Sequence, residues 1–586
     1  MRAFLFCLIL GLTAASRLIG PADPSPGVEG AMTYFRKEAA AFAQSCTELR
    51  VAAEGSAGTG ELRRRLADAR LRYKRIESFL EYFFRSSATI YNRPPKFEAE
   101  DGGMEYQEAI GMQLMEALLY APQPDRKALL EQARAVESSA LDLPALLYGL
   151  KADDRQVLES LRIELIRVIA LDITGYEAPY LKSGIGESRV AMEAMEVQLG
   201  PYLGTGKRED SVRMYLGRCG EMLRGEFDGF DRVGFLREAA LPLQRQLGLM
   251  IREKGMMLNT TKTLNYAAAD IFSADWFAPG RFPGGGEGSR ELVERGRRLF
   301  GDSSLSHNGR KSCASCHDPG KAFTDGVPVS VGLDGHQLLD RNAPTLLYCG
   351  FQFSQFWDGR VKSLEEQIRT VLKDKREMGA DTVREGDVAA IAAFVRSLHP
   401  MNSVFDRYMR SGPPLPAGAR RGANLFMGKA QCATCHFIPL FNGLIPPDYA
   451  VTEFEVLGTT EGDGYLRRES GNVQGGGGNV QGEGGNGKRL SRDSGRYGPY
   501  PLPFFRGAFK TPTVRNAALT APYMHNGGFR SLETVMQFYN AGGGAGMGLR
   551  VPEQTLSSDS LRLSTTEMND IILFIHTLTD SLTAAP

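Results

Sequence analysis

Two Cys-x-x-Cys-His motifs, Cys313-Ala-Ser-Cys316-His317 and Cys432-Ala-Thr-Cys435-His436, constrain this 586-residue chain more than any other feature. Paired thiols followed at once by an imidazole suit covalent attachment of a c-type haem. The sulfurs add across the vinyl groups as thioethers, and the histidine becomes the proximal iron ligand. A redox Cys-x-x-Cys pair or a zinc site are the rival readings. A zinc site pairs each half with further thiols or imidazoles at short range, and a chain with 8 Cys and 7 His has few to spare. The surroundings of the motifs are also duplicated. Gly296-Arg-Arg-Leu-Phe300 precedes the first and Gly422-Ala-Asn-Leu-Phe426 the second, while DVAAIAAFVRSL (387–398) and NDIILFIHTL (569–578) follow them. Each unit therefore predicts an opening helix, a cysteine motif, a long variable middle and a closing amphipathic helix. Two tandem copies of one small helical domain account for the pattern.

The chain before residue 277 carries no such motif but is helical in character. In RLRYKRIESFLEYFF, Tyr73, Ile76, Leu80 and Phe83 recur at three- and four-residue spacing, which predicts one apolar helix face with the intervening Arg and Lys turned to water. Similar periodicity around 110–120, 157–170 and 236–251 predicts a helical bundle over 25–277. The Pro/Gly-rich stretch 278–289 marks a boundary. A second glycine-rich tract at about 470–488, with GNVQ twice, reads as a flexible surface insertion. The expected fold class is all-α: the bundle, then cytochrome c-like domains at 290–415 with the first haem and 416–582 with the second.

The first sixteen residues, MRAFLFCLILGLTAAS, have the layout of a cleaved signal peptide. The apolar run falls short of the roughly 20 residues that span a bilayer, and no later stretch reaches that length. The expected product is an exported, periplasmic chain with no transmembrane span. A formal net charge of zero argues against nucleic acid as a partner, because neutralising phosphates needs a basic surplus.

The segments RNAPTLLYCGFQFSQFWDGR, SLEEQ and REMG after the first motif, and FKTPTVRNAALTAPYMHNGGFRSLETVMQFYN after the second, resemble the bacterial dihaem cytochrome c peroxidase and MauG superfamily over about residues 290–580. The resemblance implies a peroxidatic first haem and an electron-relaying second haem, with Trp357 on the path between them. It also implies that Gln367 and Glu377 stand over the peroxidatic haem. Breaking a peroxide O–O bond requires a group that takes a proton from one oxygen and delivers it to the other, and a carboxylate can do both. In isolation Trp357 would read as a core anchor, and Gln367 and Glu377 as parts of a solvated helix face.

The sixth ligand of the second haem in this family is a methionine or a tyrosine. The position matched here is Tyr539, with Met536 and Met524 as rival donors. A loop histidine that ligates the first haem at rest in many relatives is replaced by Leu333, with His336 three residues on. The expectation is an open first haem and a surface His336. The resemblance further implies a calcium ion held by Asn342, Thr520 and Pro522, since neutral oxygens suit that ion. The N-terminal bundle weakly resembles imelysin-like domains. Their Gly-x-His-x-x-Glu motif appears as Gly111-Met-Gln113-Leu-Met-Glu116, and an amide is a poor transition-metal ligand. Packing of Met112, Met115 and Leu119 into a core is the simpler reading.

The remaining His307, His399 and His576 lack motif context, and the last two are expected to be exposed. Cys349 reads as a small buried hydrophobe, while Cys46 and Cys219 are candidates for a disulfide. The resemblance implies a peroxidase that reduces hydrogen peroxide with electrons from a small cytochrome or cupredoxin. The alternatives are MauG-like, peroxide-dependent oxidation of a partner protein's residues, and a non-enzymatic dihaem electron carrier, against which the Gln367/Glu377 pair argues.

Overall fold

The computed structural model describes residues 24–581 apart from 97, 100–105, 258, 260–261, 287 and 463–488. The signal-peptide reading on residues 1–16 and the glycine-rich tract at 470–488 lie outside the described residues. The structure is helix-rich, and two short antiparallel ribbons qualify the all-α expectation: β1 (Glu98–Ala99) with β2 (Tyr106–Gln107), and β3 (Phe454–Val456) with β4 (Ala508–Lys510).

Helix α1 (Pro26–Glu54) begins where the Ser25 hydroxyl caps the Val28 amide at 3.2 Å and Pro26 supplies a preset φ. Its apolar stripe, Phe35, Ala39, Phe42, Cys46 and Leu49, is buried. Against it pack α2 (Thr59–Lys74) and α5 (Arg126–Asp142), the latter capped by Asp125. The intervening α3 (Glu77–Phe83) and α4 (Met112–Tyr120) are followed by α6 (Asp154–Arg167), α7 (Gly184–Leu199), α8 (Lys207–Met222) and α9 (Leu241–Glu253).

The run 70–84 departs from the sequence reading twice. The chain turns at Arg75–Ile76, so it forms two helices rather than one. Arg70 and Lys74 are also buried rather than water-facing. Arg70 pairs with Glu187 at 2.8 Å, and Lys74 Nζ with the local Glu77 and the distant Asp172 and Glu177 at 2.7, 2.8 and 2.6 Å. Those three carboxylates are, among the described residues, the one acidic or Cys/His group close enough to share an ion, and the Lys74 ammonium already sits among them. A buried ion pair of this kind is tolerable only when its hydrogen bonds are satisfied across several partners.

The haem-motif half repeats one packing device. Helix α10 (Arg290–Phe300) packs on α12 (Glu385–Arg396), and α14 (Ala417–Met427) packs on α16 (Thr565–Thr577). Between α10 and α12 lies α11 (Leu364–Lys373), between α12 and α14 the short α13 (Val404–Met409), and before α16 comes α15 (Leu532–Asn540). A Cβ on Gly296 would collide with the Ala390 carbonyl, and one on Gly422 with the Asp570 carbonyl. Four residues after each glycine a phenylalanine meets the closing helix: Phe300 on Phe394 at 5.2 Å and Phe426 on Phe574 at 5.3 Å. The duplicated Gly-x-x-x-Phe is therefore a helix-crossing signature. Gly permits the close approach and Phe fills the adjoining core.

The two halves share a core. The Asn424 side chain on α14 accepts the Val233 amide at 2.9 Å, Arg420 pairs with Asp231 at 2.6 Å, and Phe277 packs edge-on to Tyr449 at 5.3 Å. The Pro/Gly stretch contributes to this seam, since Phe282 is buried against Phe351. Cys46 and Cys219 are buried and unpaired, so the structure contains no disulfide between them.

Candidate functional site

Both Cys-x-x-Cys-His motifs begin on a single 3₁₀ turn, Cys313–Ser315 and Cys432–Thr434. His317 Nδ1 lies 3.0 Å from the Phe323 carbonyl and His436 Nδ1 2.9 Å from the Pro512 carbonyl. A carbonyl only accepts, so Nδ1 carries the proton and Nε2 keeps its lone pair for a ligand. Burial lowers both imidazoles, His436 to about 4, and so holds them neutral. Burial also raises the four thiols, Cys313 and Cys432 to about 12. A redox Cys-x-x-Cys needs a stabilised thiolate, which this setting opposes. Cys432, Cys435 and His436 open into a cavity of about 2250 Å³. Neutral thiols, an aimed imidazole and an adjacent cavity fit a covalently attached haem.

Glu377 sits on the turn that follows α11. Its backbone is pinned from two sides: the Leu333 amide donates to the Arg376 carbonyl at 2.7 Å, and the His307 amide to the Met378 carbonyl at 2.9 Å. At the end of the turn Gly379 has φ +57°, and a Cβ there would press on the Leu333 side chain. Burial and the neighbouring Asp374 raise the Glu377 carboxyl to about 7, against the pull of Arg360 and Arg376. Gln367 is half-buried on α11, the helix leading into this turn, whose start is capped by the Ser363 hydroxyl.

Leu333 is half-buried beside the Glu377 turn and offers no ligand atom, and His336 is exposed. His307 is exposed and pairs with Asp381, and His576 is exposed. His399 departs from expectation: it is partly buried and packs at a tilt against Phe351, with centroids 4.9 Å apart.

Trp357 joins the two halves of the site. Its Nε1–H donates to the Asn342 carbonyl at 2.9 Å, its own carbonyl accepts the Lys510 amide of β4 at 2.8 Å, and the ring lines the cavity with His436. Tyr539, on α15, faces the same cavity. Its hydroxyl is raised by burial, and the residue shares the cavity wall with Cys432, Cys435 and His436. Met536 and Met524 also line this space. Asn342, Thr520 and Pro522 share the cavity wall. The Asn342 side-chain NH₂ donates to the Val327 and Pro328 carbonyls at 3.0 and 3.2 Å. That leaves its Oδ1 and the Thr520 and Pro522 carbonyls as oxygen donors of the kind calcium takes.

Several residues around the site were not singled out from sequence. The Arg360 guanidinium lies 3.5 Å over the Phe356 ring and pairs with Asp358 at 2.9 Å. Arg341 bridges Asp358 and Asp493, each at 2.6 Å. Lys510 is lowered to about 8 by burial and donates to the Ser354 carbonyl at 3.0 Å. Arg341, Asp358, Arg360 and Lys510 all fall inside the family-like segments, so their motifs were a usable signal. Lys96, which reaches Glu453 and Glu455 from the N-terminal half, had none.

In the imelysin-like segment, Gln113 donates to the Asn92 carbonyl at 3.0 Å and Glu116 accepts the Tyr180 and Leu181 amides. These are structural engagements, and Met112, Met115 and Leu119 are buried as expected.

Comparison with known proteins gives a consistent family. The di-haem cytochrome c peroxidase family matches residues 290–386. Cytochrome-c peroxidase IdrP2 of Denitromonas iodatirespirans is 30% identical over 344 residues, covering 54% of this chain and 89% of that protein. Methylamine utilization protein MauG of Methylorubrum extorquens is 30% identical over 316 residues, covering 49% of this chain and 78% of that protein. Among solved structures, a MauG-like protein associated with microbial copper homeostasis is 30% identical, with 51% of this chain and 91% of that chain covered and a TM-score of 0.40.

Proposed function

The chain belongs to the dihaem cytochrome c peroxidase and MauG superfamily as an oxidoreductase of the peroxidase type, and on that premise we propose that it reduces hydrogen peroxide to water with electrons from a small redox protein. The observation that carries this reading is the Glu377 carboxyl, raised to about 7 on a turn pinned by the Leu333 and His307 amides. An acid–base group whose pKa lies close to the working pH can both accept and return a proton.

The proposed division is a helical bundle at 25–277 followed by cytochrome c-like domains at 290–415 and 416–582; the repeated α10/α12 and α14/α16 crossings support it. Cys313 and Cys316 would hold the first haem with His317 as proximal ligand, and Cys432 and Cys435 the second with His436. When bound, these groups supply the iron redox chemistry that peroxide reduction requires. Glu377 takes a proton from one peroxide oxygen and returns it to the departing one, while the Gln367 amide orients the substrate. Each turnover consumes two electrons and two protons for every H₂O₂ and releases two waters. Electrons enter near the second site and pass by way of Trp357. Asn342, Thr520 and Pro522 would hold a calcium ion that stiffens the segment behind Trp357. The setting is an exported, periplasmic one, and no helix among the described residues is long and apolar enough to cross a membrane.

A second reading, peroxide-dependent oxidation of residues in a partner protein, is favoured by Tyr539 sharing a cavity wall with the second thiol pair and by Leu333 in place of a ligating histidine. Stopped-flow spectroscopy with peroxide, on the oxidised and the half-reduced protein, tests the first reading. Rapid peroxide consumption coupled to a reduced small cytochrome or cupredoxin is expected. Oxidation of a co-purified protein without donor turnover would favour the second, and absence of any reaction with peroxide would overturn both. An oxidised-state EPR spectrum with only low-spin signals would overturn the open first haem.

A further inference from the structure

The N-terminal bundle sends one charged side chain into the wall of the second attachment site. Lys96 belongs to the segment between α3 and α4, and its ammonium reaches two acids flanking Phe454 at the start of β3. It contacts Glu453 and lies 3.1 Å from Glu455. Both acids are buried, with 3% and 8% of their surface exposed. Cys435 Sγ in turn donates to Glu455 Oε1 at 3.6 Å, a bond that thioether formation would remove, leaving Lys96 to hold the carboxylate in place. Lys96, Glu453, Glu455, Cys435, Tyr176 of the bundle and Tyr539 line one cavity.

We propose that Lys96 is a positioning residue that holds the Glu455 carboxylate against Cys435, so that the N-terminal bundle sets the reduction potential of the second haem. The inference rests on the reading that Cys432 and Cys435 carry that haem. A negative charge fixed against a thioether in a water-poor pocket stabilises the ferric form and lowers the potential. Two buried acids within reach of one another do not both stay charged in place without a cation between them. Lys96 supplies it from a part of the chain that contributes no haem ligand. Burial opposes ionisation of both acids and Lys96 favours it; Glu455 ends below its ordinary range while Glu453 ends above, at about 8, so the negative charge of the pair rests on Glu455.

The sign of the effect separates this arrangement from simple proximity of a positive charge. If Lys96 acted directly on the iron, removing it would lower the potential. Acting through Glu455, its removal lets the carboxylate move away or take up a proton, and the potential rises. The experiment is a spectroelectrochemical titration of the full-length dihaem protein as wild type, Glu455→Gln, Lys96→Met, the double variant and Glu453→Gln. Haem content is counted independently by mass and by pyridine haemochrome.

Glu455→Gln and Lys96→Met are each expected to raise the ferrous-to-ferric ratio of the second haem about tenfold at a fixed potential, equivalent to about 59 mV for one electron. The double variant should match Glu455→Gln alone, and Glu453→Gln should shift less. An unchanged ratio in Glu455→Gln with both haems attached overturns the proposal, as does a fall in Lys96→Met. A protein that carries no haem on Cys432 and Cys435 overturns the underlying reading instead, and the haem count identifies that case.

Discussion

Replacing Glu377 by Gln tests the chemistry at its centre. The carboxyl is raised to about 7, first by burial and then by Asp374, against Arg360 and Arg376. The ionised form is the proton acceptor, so activity is lost as pH falls through that value and is retained above it. For a pKa of about 7, roughly half the groups are ionised at pH 7 and about one in a hundred at pH 5, so kcat/KM for peroxide should fall about fiftyfold between them. Glu377→Gln keeps the shape and removes the base. A positioned proton-transfer group contributes about 10²- to 10⁴-fold, and the variant should lose that much and also lose the acid limb. Neighbours should move the limb in opposite directions. Asp374→Asn lowers the apparent pKa by removing repulsion, and Arg360→Gln raises it by removing attraction. The assay is initial-rate peroxide consumption from pH 4.5 to 8.5 with a chemical donor in excess. Retention of activity within threefold of wild type, with the acid limb intact, would refute the assignment.

Tyr539→Met exchanges a phenol oxygen for a thioether at the second site, and the potential of that haem should rise; a redox titration that leaves it unmoved removes Tyr539 as a ligand. Trp357→Phe deletes the Nε1–H bond to the Asn342 carbonyl and the most oxidisable ring at the junction. Electron transfer between the haems should slow at least tenfold in single-turnover absorption traces while each haem still reduces with dithionite. Arg515→Leu strips both guanidinium bonds, 2.7 and 2.8 Å, from the fully buried Asp406 and leaves it only the Ser403 amide and hydroxyl. Breaking one partner of a buried pair costs about 3–5 kcal/mol, measurable as a lowered urea midpoint in a protein whose haem content is unchanged.

What could be read in advance followed the range of the interaction involved. The two repeated units were legible because their pattern is written in contiguous residues: Cys-x-x-Cys-His, and a Gly and Phe four apart at each helix crossing. Periodicity located helices such as α4 and α6 but misjudged the run 70–84. Its charged residues were assigned to water on the assumption that an amphipathic helix has one dry face. Arg70 and Lys74 violate that assumption because their partners, Glu187, Asp172 and Glu177, come from about a hundred residues further along the chain. Nothing local reports such a pairing. The same holds for Lys96, whose acids lie in the other half of the protein, and for His399, dried by an aromatic ring that its own neighbourhood does not contain. Trp357, Glu377 and Tyr539 were nameable as candidates from motif context. The clamp on the Glu377 turn, made by the amides of Leu333 and His307, emerged only from the folded chain.

The seam between the halves bears on how this protein can be taken apart. Composition alone suggests that a haem-only fragment begins after the Pro/Gly stretch near residue 289. Cutting there would strip the Val233 amide from Asn424, uncover Phe405 and Tyr449 where Phe272 and Phe277 now lie, and leave Glu453 and Glu455 facing each other without Lys96. The fragment would begin with an apolar scar and an uncompensated pair of buried acids. The N-terminal half is therefore not detachable cargo: the cavity at the second Cys-x-x-Cys-His motif is a joint product of both halves, and a gene fusion or truncation that treats the glycines as a module boundary should yield a protein altered first at that cavity.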